Sequence, residues 1–517
     1  MHNLPVIDLI IIALYILLLI IMGSYFAFRG ENSSKFVSAE GTLPSWVVGL
    51  SIFGTYLSSN TYIGVTGKAF GGNWNAFVFS LSLPIAAWVA SRIFVPFYRK
   101  SGYISAYAHI ELRFGTWGRI YMDACYLLTQ IARIGSIMFG VALVLNSLTG
   151  FEMSVIILFM GVLVTLYTLL GGIEAVIWTD VIQSIILTLG AILIVVFLFV
   201  DIEDGITGMI REGMHYDKFS LGSFNFNFTE STFWVVLFYG IFINLNNFGI
   251  DQSFIQRYHT AKSDASASQS VWLAAKLYIP ISLLFFIIGT GLWMHYKEKP
   301  EELHTLKEYY IHDKGNPVSM DAIANDISEV KDEQIGDRVL PYYMKQRLPA
   351  GVTGILIAAL FAAAMSSVDT SLNSSATIIW SDIYKRFIDT EPTEKRSMQI
   401  LQISTILWGI LGTVAALALI GVKSLLDAWW QLSGIFAGGM LGLFLLGFFA
   451  RSVTNRIAKM SVIIGLLVIT WMTLPALIPE KLAFLRSPFH THMIVVVGTL
   501  SIFLSGIMIA AFRKCKR

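Results

Sequence analysis

The stretch FAAAMSSVDTSLNSSATI (361–378) is dense in hydroxyl, amide and carboxyl oxygens, yet apolar residues flank it on both sides. Ser366, Asp369 and Thr370 lie three and four residues apart, which puts them on one helical face, with Ser367 adjacent and Ser374 continuing the stripe. A second oxygen-rich stretch, SIFGTYLSSNTYIG (51–64), interrupts an apolar run with Thr55, Ser58, Ser59, Asn60 and Thr61. Hydroxyls from one helix and carbonyls freed in a broken neighbour would together supply the neutral oxygens that a small monovalent cation takes. Two plainer explanations compete. Ser and Thr can bond back to the i−4 carbonyl and merely bend a helix, and small residues can serve close helix packing. Packing suits Gly434, Gly438 and Gly442, spaced by four. Between 49 and 72 it explains the glycines but not the polar residues of 55–61.

Ionisable residues add to this pattern. Asp180 in VIWTDVIQ (176–183), Arg133 in TQIARIGSIMFG (129–140), Lys276 in LAAKLYIP (273–280), Asp251 and Asp369 all fall within or at the edges of apolar runs. A charge at such depth costs roughly 3 kcal/mol or more, and usually lines a path or a site. Asp180 and Lys276 are close enough to an expected inner face to snorkel; Arg133 and Asp369 lie deeper. A buried guanidinium wants an anion, either a substrate carboxylate held by its fork or a protein carboxylate such as Asp369 or Asp123. No Gly-rich phosphate loop, nucleophile elbow or His/Cys metal spacing appears, so no enzyme chemistry is expected.

The elements that must position these groups are membrane helices. The 517 residues are 55% hydrophobic and only 14% charged, with a mean hydropathy of +0.68; soluble chains carry about a quarter charged residues. Runs such as DLIIIALYILLLIIMGSYFAF (8–28) and VIILFMGVLVTLYTLL (155–170) approach or exceed the roughly 18–20 residues that cross a bilayer. The first lacks a basic leader and carries Asp8, so a retained helix is expected rather than a signal peptide. Thirteen spans can be placed between residues 5 and 512. The odd number puts the termini on opposite sides. With Arg513, Lys514, Lys516 and Arg517 cytoplasmic, the N-terminus lies outside, and Arg29, Lys35, Arg99, Lys100, Arg113, Arg257, Lys262, Lys385, Arg386, Lys395, Arg396, Arg451 and Arg456 all fall in inner loops. The net charge of +2 is spread over loops and not clustered on one face, so it gives no sign of a nucleic-acid partner and none is expected, and Cys125 and Cys515 form no framework. A second interruption, INLNNFGIDQSFIQRY (243–258), follows the first by five spans, the sequence signature of an inverted-repeat transporter.

Four motifs then carry a resemblance: SIFGTYLSSNTYIG (51–64), GGIEAVIWTDVIQ (171–183), DQSFIQRY (251–258) and AAAMSSVDTSLNSSATIIWSDIY (362–384). With them the chain resembles the sodium/solute symporter family, relatives of the sodium–glucose, sialic-acid and proline symporters, from its first span to about residue 450. The resemblance implies an all-α, LeuT-type fold in a single transporter domain. An extra helix (5–28) would precede a first inverted five-helix repeat (44–201) and a second (231–450), with two C-terminal helices (459–512) after them. It implies a co-transported sodium ion on the carbonyls of Gly54, Leu57 and Ala363 and the hydroxyls of Ser366 and Ser367. Asp180 matches an aspartate on the cytoplasmic exit route, which in the sialic-acid branch joins a second sodium site at positions occupied here by Asp369 and Thr370. That branch has serine where Asp369 stands, so the number of sodium ions stays open.

For the substrate, Arg133 matches the arginine that holds a carboxylate in the sialic-acid branch, and Ser58 and Thr61 match its broken-helix contacts. Tyr56 and Ser80 replace that branch's threonine and glutamine. Asp251 and Lys276 match sugar-contacting Asn and Lys positions of galactose-type relatives, Trp430 replaces their glutamine, and Asn247 completes the expected set. The implied activity is sodium-coupled import of a monosaccharide or an acidic sugar such as sialic acid, with a small monocarboxylate as the alternative. The implied setting is a monomer in a cell membrane, of the bacterial inner-membrane kind, in contact with lipid. A sodium-sensing domain fused to a signalling kinase would need an effector, yet the chain ends about five residues after its last span. A channel would need repeated pore loops instead of one asymmetric oxygen cluster.

Overall fold

The computed structural model describes residues 4–27, 32–313, 327, 329–421, 425–473 and 486–515. Arg29, Lys516 and Arg517, used above to orient the chain, lie outside them. The described residues form helices and no extended strand. Eleven of the helices are long and apolar enough to cross a membrane. Two more of the expected spans take other forms. Residues 45–71 form a broken helix, Ser45–Tyr56 (α2) and Thr66–Gly71 (α3) joined through a wide turn at Asn60–Val65. Met153–Leu169 is apolar but shorter, and runs on into the rest of Met153–Asp201 (α5) through a kink at Gly172. That residue has φ 55° and ψ −167°, a conformation open to glycine and not to residues with a Cβ.

The helix bearing the oxygen stripe, Val352–Ile378 (α9), is the centre of the molecule. Every residue from Leu356 to Ile378 is buried, enclosed by α5, Thr116–Thr149 (α4), Val6–Ala27 (α1) and Glu394–Ala418 (α10). A helix this polar is stable at such depth because most of its hydroxyls find partners, on its own preceding turn or on neighbouring helices. Its N-terminus is capped from outside: the buried Asp8 of α1 accepts from the amides of Gly351 (2.6 Å) and Gly354 (2.8 Å), satisfying donors a helix start leaves free. The first apolar run is thus an integral member of the bundle. Its outer face, including Val6, Ile10, Leu14 and Leu17, is exposed, as a lipid-facing surface must be.

The second break lies where Phe233–Ile250 (α6) meets Gln252–Thr260 (α7). Asp251 is extended there (ψ 119°), and its carboxylate caps Ser253 at the start of α7. The following helix, Asp264–Glu298 (α8), packs along α2. Beyond α10, Leu425–Phe449 (α11) and Asn455–Thr473 (α12) pack with Met493–Cys515 (α13). Gly438 and Gly442 of α11 face Val495 and Ile502 of α13 at distances that leave little room for a Cβ, with Gly434 looser on the same face. Close packing is therefore the role of this glycine row.

Candidate functional site

The first break and the oxygen stripe meet. Helix α2 stops at Tyr56, Leu57 turns extended (φ −92°, ψ 127°), and the Leu57 carbonyl faces Ser367, whose hydroxyl donates to it at 3.3 Å. A Cβ on Gly54 would stand 3.0 Å from the Ser366 hydroxyl oxygen and 2.7 Å from that of Ser184. The bare backbone of α2 thus lies directly on α9 and α5, so Gly54 is glycine for close approach. Gly54, Leu57, Ser366 and Ser367 are therefore neighbours, with Ala363 one turn before Ser367 on α9.

The stripe divides by partner. Ser371, Ser374 and Thr377 bond back to Ser367, Thr370 and Asn373 carbonyls at 2.8, 2.7 and 2.9 Å, so the helix-bending explanation holds for them. Ser374, expected to continue the ligand face, belongs to this set and also takes the Tyr126 hydroxyl at 2.7 Å. Ser366, Ser367 and Thr370 instead reach other helices. The Ser366 hydroxyl donates to Asp180 at 2.5 Å. Asp180 also accepts from the Ser51 hydroxyl and, at 2.8 Å, from Arg257.

Arg257 corrects the sequence analysis, which placed it among the basic residues of an inner loop. Its guanidinium is wholly buried and donates to Ser51 Oγ (2.7 Å), the Ser253 carbonyl (2.7 Å), Asp180 (2.8 Å) and Thr370 Oγ1 (2.7 Å). The missed signal was its place four residues after Ser253 in DQSFIQRY, on a half-helix that starts at a break and not on a loop. Asp369 lies on the other side of this cluster. It accepts from the Tyr167 hydroxyl and from the Thr370 amide, both at 2.5 Å.

Above the break a cavity opens between α2, α4, α6, α7, α8 and α11. Tyr56, Ser58, Thr61, Ser80, Arg133, Asn247, Asp251 and Trp430 all line it. Tyr56 packs against Phe248, Phe254 and Tyr278, with ring centroids 5.6, 5.0 and 5.3 Å away. Trp430 stacks on Phe79 and tilts against Tyr239, giving one aromatic wall. Ser80 shares a 2.7 Å hydrogen bond with Ser282. Arg133, half-buried on α4, donates at 2.6 Å to the Thr55 carbonyl that the end of α2 leaves free. Neither Asp369 nor Asp123 bonds it, so both protein partners suggested for it are ruled out in this structure. Ser59 Oγ donates to the Ile137 carbonyl (2.8 Å) and Asn60, which also lines the cavity, donates to Ser136 Oγ (3.2 Å), pinning the broken helix to α4. Lys276 is the second correction. It is exposed on the opposite side of α8, in a separate groove with Ser91, Arg92 and Trp272, and does not reach the cavity.

At the far end of the bundle, Arg119 bridges Glu111 (2.8 Å) and Asp382 (2.7 Å), and Arg386 holds Glu111 at 3.0 Å. Partial burial pushes the Glu111 carboxyl up, but the two guanidiniums outweigh it and hold it at about 2. The lock ties the start of α4 to the end of the α9 segment.

Broken helices that present backbone oxygen to a polar, aromatic-walled cavity, in an all-helical multi-pass protein, define a cation-coupled solute transporter of the membrane. The sequence profile described as "SSF: Sodium:solute symporter family" matches residues 36–465, and the chain belongs to that family. It is similar to the sodium/sialic acid symporter NanT of Aliivibrio fischeri, at 32% identity over 93% of this chain and 90% of that one. The sodium/sialic acid symporter SiaT of Proteus mirabilis is 29% identical over 99% and 96%. A substrate-bound, outward-open structure of a sodium-coupled sialic acid symporter superposes with a TM-score of 0.84 at 28% identity, covering 98% of both chains. Human sodium-coupled monocarboxylate transporter 1 is 26% identical over 93% of this chain and 76% of its own. The protein is a sodium-coupled symporter of the cell membrane, not an enzyme.

Proposed function

We propose that the cavity binds an acidic sugar of the sialic acid type and that Arg133 holds its carboxylate. The carrying observation is that Arg133 and Asp251 line one cavity while the Arg133 guanidinium bonds a single backbone carbonyl. Asp251 is its electrostatic neighbour but does not bond it, so a substrate carboxylate supplies the hydrogen-bonded anion this fork lacks. Asp251, with Asn247, Ser58 and Thr61, then favours a ligand rich in hydroxyl or amide donors, which a small monocarboxylate does not offer. The Phe79, Tyr239 and Trp430 wall suits the apolar face of a sugar ring. Two relatives matched over nine-tenths or more of both chains, at 32% and 29% identity, are sialic acid symporters by name, which agrees with this choice.

The coupling ion sits on the carbonyls of Gly54, Leu57 and Ala363 and the hydroxyls of Ser366 and Ser367. Asp180 borders this site through Ser366. Because Arg257 already engages Asp180 and Thr370, the Asp180, Asp369 and Thr370 cluster is read as an exit route and not as a second resident ion. The architecture we favour is two inverted five-helix repeats, 44–201 and 231–450, after one helix (5–28) and before two (459–512). It makes thirteen crossings, with the N-terminus outside and the C-terminus inside, and acts as a monomer. The test is uptake by proteoliposomes of sialic acid, a neutral hexose and lactate, each with and without an inward sodium gradient. Sodium-driven uptake of sialic acid is expected; uptake of lactate without sialic acid would overturn the assignment.

A further inference from the structure

We infer that the groove between α8 and the segment Trp74–Ser101 is a binding site for one anionic phospholipid. Two cations line it, Arg92 and Lys276, and both are exposed. Neither has a hydrogen bond, ion pair or ring contact among the described residues. The floor is built: Trp272 Nε1 donates to Ser91 Oγ at 3.1 Å, and Ser268 Oγ to the Ser91 carbonyl at 3.2 Å, so the two walls are held in register. Gln269 completes the lining with Leu273 and the Trp272 ring, which present hydrocarbon.

Depth argues for lipid over a soluble anion. The salt bridge Arg99–Asp264 (2.7 Å) marks the end of both walls. Arg92 lies seven residues inside Arg99, about 10 Å along a helix, and Lys276 twelve inside Asp264, about 18 Å. The sequence of α8 turns from polar to apolar after Ser270, so Lys276 sits roughly 8 Å past that border. Leu81, Ile85 and Trp88 share the face of Arg92 and are 39%, 47% and 56% exposed, the pattern of a lipid-facing stripe. Unpaired cations on such a face must either snorkel outward or draw an anion in. A groove whose two cations lie at different depths, with Trp272 and Leu273 between them, fits a phosphate reached by the long side chains of Arg92 and Lys276 and an acyl chain against Trp272 and Leu273. Basic pockets between membrane helices recognise anionic headgroups in this way. The inference is independent of the substrate assigned to the cavity.

The experiment is lipid exchange on the purified protein, followed by native mass spectrometry with phosphatidylglycerol against phosphatidylcholine. About fivefold preference per cation gives an expected selectivity of about 25-fold for phosphatidylglycerol. Arg92→Gln with Lys276→Gln should bring it close to one, whereas Arg92→Lys with Lys276→Arg and a distant control, Arg451→Gln, should keep it. Equal retention of the two lipids by the unmutated protein overturns the site, and needs no variant to fold. So does selectivity that survives in the double glutamine variant. Displacement of phosphatidylglycerol by millimolar glycerol 3-phosphate would show a headgroup-only anion site and overturn the lipid assignment.

Discussion

Arg257→Met, made alone and with Asp180→Asn, tests whether the buried pair is the electrostatic hinge of the ion path. The guanidinium donates four hydrogen bonds, at 2.7, 2.7, 2.8 and 2.7 Å, and neither partner's side chain is exposed at all. Taking away one partner of such a pair strands the other charge in the interior, a loss of about 3–5 kcal/mol. Arg257→Met strands Asp180, and Asp180→Asn strands Arg257, so the single losses would sum to about 6–10 kcal/mol if the sites were independent. The double variant leaves neither member of the pair stranded and is expected to lose far less, for a coupling of about 3 kcal/mol or more. Unfolding of the purified protein followed by circular dichroism measures the cycle. Sodium binding gives a second readout, because Asp180 borders the proposed ion site through Ser366 and Arg257 offsets its negative charge there. Freeing Asp180 of a charge-assisted hydrogen bond worth about 1.5–3 kcal/mol should tighten sodium roughly tenfold or more in Arg257→Met. Sodium-dependent thermal stabilisation reads this directly. Single losses that add to within about 0.5 kcal/mol, or weaker sodium binding in Arg257→Met, would refute the reasoning.

Replacing Ser366 and Ser367 together by Ala removes two of five proposed ligands, and sodium-driven uptake should fall to background; unchanged sodium dependence would place the ion elsewhere. Arg133→Ala should abolish binding of sialic acid by the folded protein, and Arg133→Lys should restore it only in part because the bidentate fork is gone; normal binding by the alanine variant would remove the carboxylate clamp. Glu111 lies outside the membrane-spanning helices and is held at about 2, below its ordinary 4.5. A depressed native value means its contribution is whole above about 4.5 and fades as pH falls toward 2. The melting temperature of the unmutated protein should therefore drop across that window, while Glu111→Gln starts lower and changes less; parallel curves would show the lock to be without stabilising effect.

Composition and apolar runs by themselves determined that this is a polytopic helical membrane protein, because a bilayer admits only helices and closed barrels and continuous apolar runs of this length suit helices. The two broken helices and the oxygen stripe were legible for a related reason: polar residues inside apolar runs are local departures that need no knowledge of neighbours. The contacts between segments were not. Arg133 and Arg257 are both guanidiniums near helix breaks, yet only Arg257 meets a carboxylate, and that carboxylate comes from Asp180, 77 residues earlier. Which arginine is satisfied depends on how α5 and α7 pack, and no spacing in the chain encodes that. Lys276 shows the same limit at short range. Tyr278 and Ser282 of the same helix face the cavity, while Lys276, two residues before Tyr278 and so about 200° around the axis, points to the membrane side. The helix itself follows from sequence; its rotation is set by the side chains it meets on α2, and only the folded bundle supplies them.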